Sequence, residues 1–327
     1  MNIQHKNRPV RPADNRLVSI VTPVHNEAQN ILPFYSELLR VLQPLPNPFE
    51  LIFVDDGSTD DSVKHIKSLA RVSDVKLRLI QLSRNFGKEV SLTAGIEAAT
   101  GDAVLLIDSD MQHPIDKIPE FIRAWNDGNE VVIGVRTRSV SETRLKRYGS
   151  KTYYRIMNRI GETRQIPHST DFRLLDRIVV DAFSRFTERQ RITRGLIDWL
   201  GFKRAVIYFQ ANERRHGTPS YDTFKLIQLA IDSFTSHSLL PLRFAGYLGA
   251  VITILSGFLG VFTFIEVYLL PDPLALNPSG TALLAILLLF LVGIILSCLG
   301  IIATYIARIN GEVANRPLYV VREDTDI

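Results

Sequence analysis

Residues 103–114 read Ala-Val-Leu-Leu-Ile-Asp-Ser-Asp-Met-Gln-His-Pro, five apolar side chains running without a break into two aspartates. A run this short and this apolar predicts a buried strand ending at Ile107. Alternate residues of an extended segment project the same way, so Asp108 and Asp110 can face one ion. Hard divalent cations such as Mg²⁺ take carboxylate, phosphate and water oxygens. A lone Asp-x-Asp says little; at the end of a buried strand it says much more. His113, just before Pro114, reads as a helix-start residue rather than a ligand.

Outward from this stretch the pattern repeats. Residues 17–23, 51–54, 77–82 and 131–135 are further short Val/Ile/Leu-rich runs, and segments of helical length at 28–42, 62–70, 89–99 and 115–126 separate them. Near-continuous apolar strands alternating with helices predict an α/β domain with a parallel sheet covered on both faces. Ligands of such sheets bind at the carboxyl ends of the strands, where the polar motifs fall.

The first strand runs into Pro23-Val24-His25-Asn26-Glu27, where Asn26 can cap the following helix. The second ends in Asp55-Asp56-Gly57-Ser58-Thr59-Asp60. Carboxylates there can accept hydrogen bonds from a base N–H or from ribose hydroxyls, Gly57 permits a tight turn, and Ser58 or Thr59 can cap the next helix. The third ends in Ser83-Arg84-Asn85-Phe86-Gly87-Lys88-Glu89. Its Gly-Lys pair is not a Walker A loop, because Glu89 stands where Ser or Thr is needed and the upstream glycine is absent. There is no G-x-G-x-x-G either. Arg84 and Lys88 can still meet a phosphate.

The chain has 327 residues, 46% of them hydrophobic, and a net charge of +4. Residues 1–242 hold 34 basic and 28 acidic side chains, an excess of six, and 243–327 hold 4 and 6. This split excludes a simple soluble globule, a disordered chain and a collagen-like fibre. The single cysteine, Cys298, lies in an apolar run and signals no disulfide framework. Residues 1–16 are polar, contain two prolines and lack the apolar core of a secretory signal, which predicts a flexible lead-in.

Two apolar runs, 244–270 and 281–307, have 27 residues each; the first carries only Glu266 as a charge and the second none. At ~1.5 Å per residue each makes a helix of about 40 Å, longer than a hydrocarbon core of about 30 Å. Both are therefore expected to span a membrane with some tilt. The turn between them has no Lys or Arg, whereas Arg243, Arg308, Arg316 and Arg322 lie at the opposite ends. The positive-inside rule puts residues 17–220 and the tail 308–327 in the cytoplasm. Residues 221–242 interleave apolar side chains at helical spacing with Lys225, Asp232 and His237, an amphipathic juxtamembrane helix.

Together these stretches resemble family 2 glycosyltransferases of the GT-A fold, and among them the polyprenyl-phosphate glycosyltransferases related to dolichyl-phosphate mannose synthase and bacterial undecaprenyl-phosphate glucosyltransferases. The resemblance rests on VTPVHNEAQNI (21–31), VDDGSTDDS (54–62), LSRNFGKE (82–89), AGIEAATGD (94–102), LIDSDMQHP (106–114) and TDFRLLDR (170–177). RGLIDWLGF (194–202), ERRHGTPSY (213–221) and YIARINGEVANRPLYVVRE (305–323) extend it over almost the whole chain. Ser109 stands where Ala is common.

The resemblance implies a GT-A Rossmann-like, mostly parallel sheet domain followed by the amphipathic helix and two transmembrane helices. It implies inverting transfer of a hexose, glucose from UDP-glucose as first choice, to undecaprenyl phosphate or a similar lipid at the cytoplasmic face of the cell membrane. Mg²⁺ or Mn²⁺ would sit on Asp110 with Asp108, and Gln112 nearby. Pro23, Asn26, Glu27, Asp55, Asp56 and Lys88 complete the nucleotide-sugar site, with Asp55 and Asp56 on base and ribose. Asp171 would orient a sugar hydroxyl or act as base.

Two anions must be held together, and arginines do this through bidentate contact with phosphate. Candidates for the acceptor phosphate are Arg136, the first choice, Arg138, Lys151, Arg214 and Arg215. Relatives imply a homo-oligomer, a tetramer, and nothing points to nucleic acid. Donors such as UDP-GlcNAc, GDP-mannose and UDP-aminoarabinose remain open, as does a non-catalytic membrane scaffold. A processive polysaccharide synthase is disfavoured, because residues 189–195 do not form its Q-x-x-R-W segment.

Overall fold

A computed structural model describes residues 15–69, 75–137, 166–188, 191–210 and 316–327, with scattered residues between 265 and 314. The chain divides into two compact units. One comprises Met1–Asp222 with Arg316–Ile327, the other Thr223–Asn315.

The first unit is built on an eight-stranded sheet. Its elements in chain order are β1 (Val18–Val24), α1 (Ala28–Leu42), β2 (Phe49–Asp55), α2 (Ser62–Leu69), β3 (Lys76–Leu82), α3 (Lys88–Ala98), β4 (Ala103–Leu106), α4 (Ile118–Asn126) and β5 (Val131–Arg136). They continue with β6 (Ser169–Asp176), α5 (Arg177–Phe183), α6 (Thr193–Trp199), β7 (Arg204–Phe209) and β8 (Val321–Asp326). The strand order is β7-β5-β6-β4-β1-β2-β3-β8.

The apolar strands are legible in the core. Val18, Ile20, Leu51 and Phe53 face one cluster with Phe34 and Leu38 of α1 and Phe121 of α4. Val21, Ile52 and Val54 face the opposite cluster with Leu92 and Ile96 of α3 and Phe183 of α5. Both faces are covered, so the strands need no polar alternation. Helix α3 lies close on the sheet through Gly95, where any Cβ would collide with Val21. The helix starts at Lys88.

The sheet is mostly parallel, as expected, with two strands reversed. β6 runs antiparallel between β4 and β5, and β8 runs antiparallel along β3. The sheet is mixed, with six strands in one direction. β8 lies within the stretch expected as the C-terminal tail 308–327, and it forms one edge of the sheet. The link is ionic: Arg78 makes two hydrogen bonds to Asp324 (2.8 and 2.7 Å) and Lys67 meets Glu323 at 2.8 Å.

Among the described residues no helix is long and apolar enough to cross a membrane. The expected juxtamembrane helix lies outside the described residues, as do residues 1–14, all but one residue of the first apolar run and most of the second.

Candidate active site

The tips of β1 and β2 are tied to one another. Asn26 has φ +56°, a conformation Asn tolerates better than most residues. Its Oδ1 accepts from the Thr59 N–H at 2.8 Å, and its own N–H donates to Ser58 Oγ at 3.0 Å. Asn26 therefore does not cap α1. Asp60 does so from the neighbouring loop, accepting from Ala28 N at 3.1 Å. The same carboxylate accepts from Ser62 N at the start of α2, so neither Ser58 nor Thr59 is that cap. Glu27 accepts from Asn30 at 2.5 Å.

Asp55 and Asp56, adjacent and equally buried, have diverged. Asp56 accepts from Phe86 N at 2.7 Å and Gly87 N at 2.9 Å, placing its charge before the N-terminus of α3. The chain's own loop thus engages both oxygens. Asp55 receives the Ser58 N–H at 3.2 Å and lines an open cleft of about 400 Å³ between the β2 and β3 loops. Burial raises its pKa despite the Ser58 hydrogen bonds. An acid facing a cleft in this state suits a ligand N–H.

Gly57 makes the turn between them possible. Its φ is +68°, and a Cβ there would lie 2.7 Å from the Arg84 carbonyl carbon and the Asn85 nitrogen. Gly57→Ala is expected to lower unfolding free energy by about 2 kcal/mol, through left-handed strain and this contact. Denaturant titration checks it; an unchanged midpoint would contradict the geometry.

Pro23 lies near the end of β1, on the side facing β4. The Ile107 N–H donates to the Val21 carbonyl and Asp56 N–H to the Val24 carbonyl. Backbone groups alternate sides along a strand, so Pro23 faces β4 and offers it no N–H. The β1–β4 ladder stops here, and the chain from Asp108 onward leaves the sheet.

Asp108 and Asp110 follow at the carboxyl end of β4. Asp110 is 9% exposed, and its Oδ1 accepts from Gln112 N at 3.1 Å. Met111 between them has φ +62°, uncommon for a residue with a side chain. His113 is buried and stacked on Phe172, with ring centroids 5.3 Å apart. Its Nδ1 accepts from Asp108 N at 3.3 Å. Burial pushes its pKa down despite nearby Asp108, so it is a neutral core histidine.

Lys88 joins three elements. Its Nζ lies 2.8 Å from Asp108 at the β4 tip and 2.9 Å from Asp171 in β6. Burial disfavours the ammonium, but the two carboxylates win and hold its pKa well above the usual lysine range. Asp171 is driven the opposite way. Burial works against its charge, but Lys88, Arg194 and Arg173 hold its carboxyl far below the usual range. A carboxylate so stabilised is a weak base at neutral pH.

Glu89 was not anticipated as a site residue. Burial and the nearby Asp171 charge raise its pKa, and its Oε2 accepts from Thr193 N at 2.8 Å. Arg173 and Arg194 were missed as well. Arg173, 1% exposed, pairs with Asp198 at 2.9 Å. Nothing local distinguishes either from the many other arginines. Arg136, exposed at the end of β5, lies at the same sheet edge as Asp108, since β4 and β5 both run antiparallel to β6. Arg138, Lys151, Arg214 and Arg215 lie outside the described residues.

Among the described residues no three His, Cys, Asp or Glu side chains form a group able to hold a metal alone. The donor chemistry fits a site completed by substrate. Mg²⁺ is commonly held by one or two carboxylates with substrate phosphates, and Asp110 and Asp108 are hard oxygen donors at one strand end.

The glycosyl transferase family 2 model matches residues 19–184, a span running from β1 into α5 and including both acidic tips. An uncharacterized glycosyltransferase of Synechocystis is 37% identical over 306 residues, covering 94% of this chain and 95% of its own. An uncharacterized glycosyltransferase of Bacillus subtilis is 37% identical over 310 residues, with 94% of each chain covered. The SfII prophage-derived bactoprenol glucosyl transferase of Shigella flexneri is 35% identical over 306 residues, covering 94% and 97%. The paired acidic strand tips and the length of these matches agree: the chain belongs to glycosyl transferase family 2 and is a glycosyltransferase.

Proposed function

We propose that this glycosyltransferase moves a glucosyl unit from UDP-glucose to a polyprenyl phosphate at the cytoplasmic face of a membrane, inverting the anomeric centre. One observation carries the acceptor. The likeness to the Shigella bactoprenol glucosyl transferase spans 94% of the chain, so its unaligned remainder is too short to contain either apolar run. The runs' length and the basic residues outside them support the membrane assignment.

A phosphate monoester has its second pKa near about 6, so the acceptor is largely dianionic at neutral pH. Its oxygen attacks the anomeric carbon as the bond to the nucleoside diphosphate breaks, and the electron pair leaves with that diphosphate. No proton need be removed, which agrees with an Asp171 too acidic to be a base. Asp171 instead positions Lys88. Asp108 and Asp110 would hold Mg²⁺ or Mn²⁺, which supplies Lewis-acid stabilisation of the leaving diphosphate. Arg136 would hold the acceptor phosphate, and Asp55 the donor base.

Membranes containing the full chain, undecaprenyl phosphate and a panel of radiolabelled nucleotide sugars test the reading. Label from UDP-glucose should enter a lipid whose sugar is released by mild acid. A polymeric product, label only from another donor, or no lipid label would each overturn it.

A further inference from the structure

The donor cleft takes one residue from far outside the matched family region. Beside Asp55, Gln81 and Arg84 it is lined by Arg322 of β8. Along the β3–β8 pair, Leu82 faces Val321 and Gln81 faces Glu323, with a register shift between them. Arg322 is the extra residue of that bulge. A bulged residue leaves the ladder and its side chain is re-aimed.

The residues around it are held elsewhere. Glu323 takes Lys67 (2.8 Å) and Gln81 Nε2 (2.7 Å), Asp324 takes Arg78, and the Ser83 N–H donates to the Val320 carbonyl at 2.8 Å. The carboxylates following Arg322 are thus committed to other partners, while its own side chain lines the cleft.

We propose that Arg322 binds the nucleoside end of the donor, donating hydrogen bonds to a base carbonyl beside Asp55. This rests on the function proposed above. Strand order decides which part of the donor it meets. Asp108 and Asp110, assigned to the diphosphate, follow β4, and Asp55 ends β2 two places along the sheet. At about 4.8 Å per strand that is roughly 10 Å, and the cleft continues past β3 to β8. A donor laid along this edge with its diphosphate at β4 puts its base over β2 and β3. The Watson–Crick edge of uracil offers one N–H between two carbonyls. A carboxylate and a guanidinium side by side complement it. Of the two cleft arginines, Arg84 donates to the Asn85 carbonyl and lies over the Phe86 ring at 4.1 Å.

A contact remote from the reacting carbon binds ground and transition states alike, so its loss raises KM and spares kcat. The test is equilibrium titration of the full-length protein with UDP, GDP and inorganic pyrophosphate, with donor kinetics alongside. Arg322→Ala should weaken UDP about tenfold, leave pyrophosphate unchanged, and raise donor KM about tenfold with kcat within about twofold. Arg322→Lys, which keeps the charge and loses the fork, should fall between. An unchanged unfolding midpoint establishes that both variants fold. Unaltered UDP affinity in Arg322→Ala, or equal losses for UDP and pyrophosphate, overturns the assignment and leaves the proposed function standing. Wild-type protein that binds GDP but not UDP, with the same loss in the variant, upholds Arg322 and overturns the donor choice. Wild-type protein that binds neither nucleotide overturns the donor reading itself.

Discussion

Asp110→Asn is expected to lower kcat/KM about 10³-fold, about 4 kcal/mol of transition-state stabilisation, while the protein stays folded. The substitution is nearly isosteric and its amide oxygen can still accept from Gln112 N. What disappears is a negative charge at the end of β4. In the proposed reaction a hard cation would need that charge, and it would stabilise the leaving diphosphate. The left-handed Met111 folds the loop so that Gln112 N meets this carboxylate. Such backbone is kept where a side chain must be held. Two measurements separate charge from structure. Activity of the wild type should vanish on chelation and return with Mg²⁺ or Mn²⁺, and Asp110→Asn should not recover at any metal concentration. A loss under about tenfold would show that the cation is held elsewhere.

The strand-tip chemistry was legible because of where it sits. An apolar run that stops at a polar residue announces a strand end, as β1 to β5 all do, and at β2 and β4 that residue is an aspartate. The exceptions have physical causes. β8 reads Val-Arg-Glu-Asp-Thr-Asp, a composition of solvated tails. It becomes a strand because Arg78, Lys67 and Gln81 on β3 and α2 supply partners that no local pattern reveals. Asp55 and Asp56 are indistinguishable as letters. Successive side chains of an extended segment point to opposite faces, so one turned to the cleft and the other to the α3 loop. Pro23 looked like a binding residue, and its traceable effect is an N–H it lacks. Lys88 was read through a phosphate-loop pattern, whereas its partners Asp108 and Asp171 come from β4 and a strand more than 60 residues further on. Sequence spacing carries no trace of such a pairing.

That pairing carries the second large effect. Lys88→Met is expected to cut transfer about 10²-fold and to move the acid side of the pH profile upward. In the wild type the depressed pKa of Asp171 means that it is charged throughout the neutral range. Its stabilising contribution is present above the unfolded value of about 4 and is lost only as pH falls toward the folded one. The raised pKa of Lys88 works at the other end, its contribution complete below about 10.4 and lost above the folded value. Between these limits neither group titrates, so with the proposed lipid acceptor the acid limb of wild-type transfer is expected to follow the acceptor phosphate, near about 6. With the ammonium gone, Asp171 is left beside the Asp108 carboxylate without the cation between them, and burial works against the Asp171 charge. Asp171 then stays protonated to higher pH. Adding Asp171→Asn to Lys88→Met removes the repulsion and should return the limb to the wild-type position without restoring the rate. Lys88→Arg keeps a cation between the carboxylates and should restore part of the rate. A Lys88→Met enzyme with wild-type rate and limb would mean that the bridge is scaffolding alone, and that the donor phosphates meet a different cation.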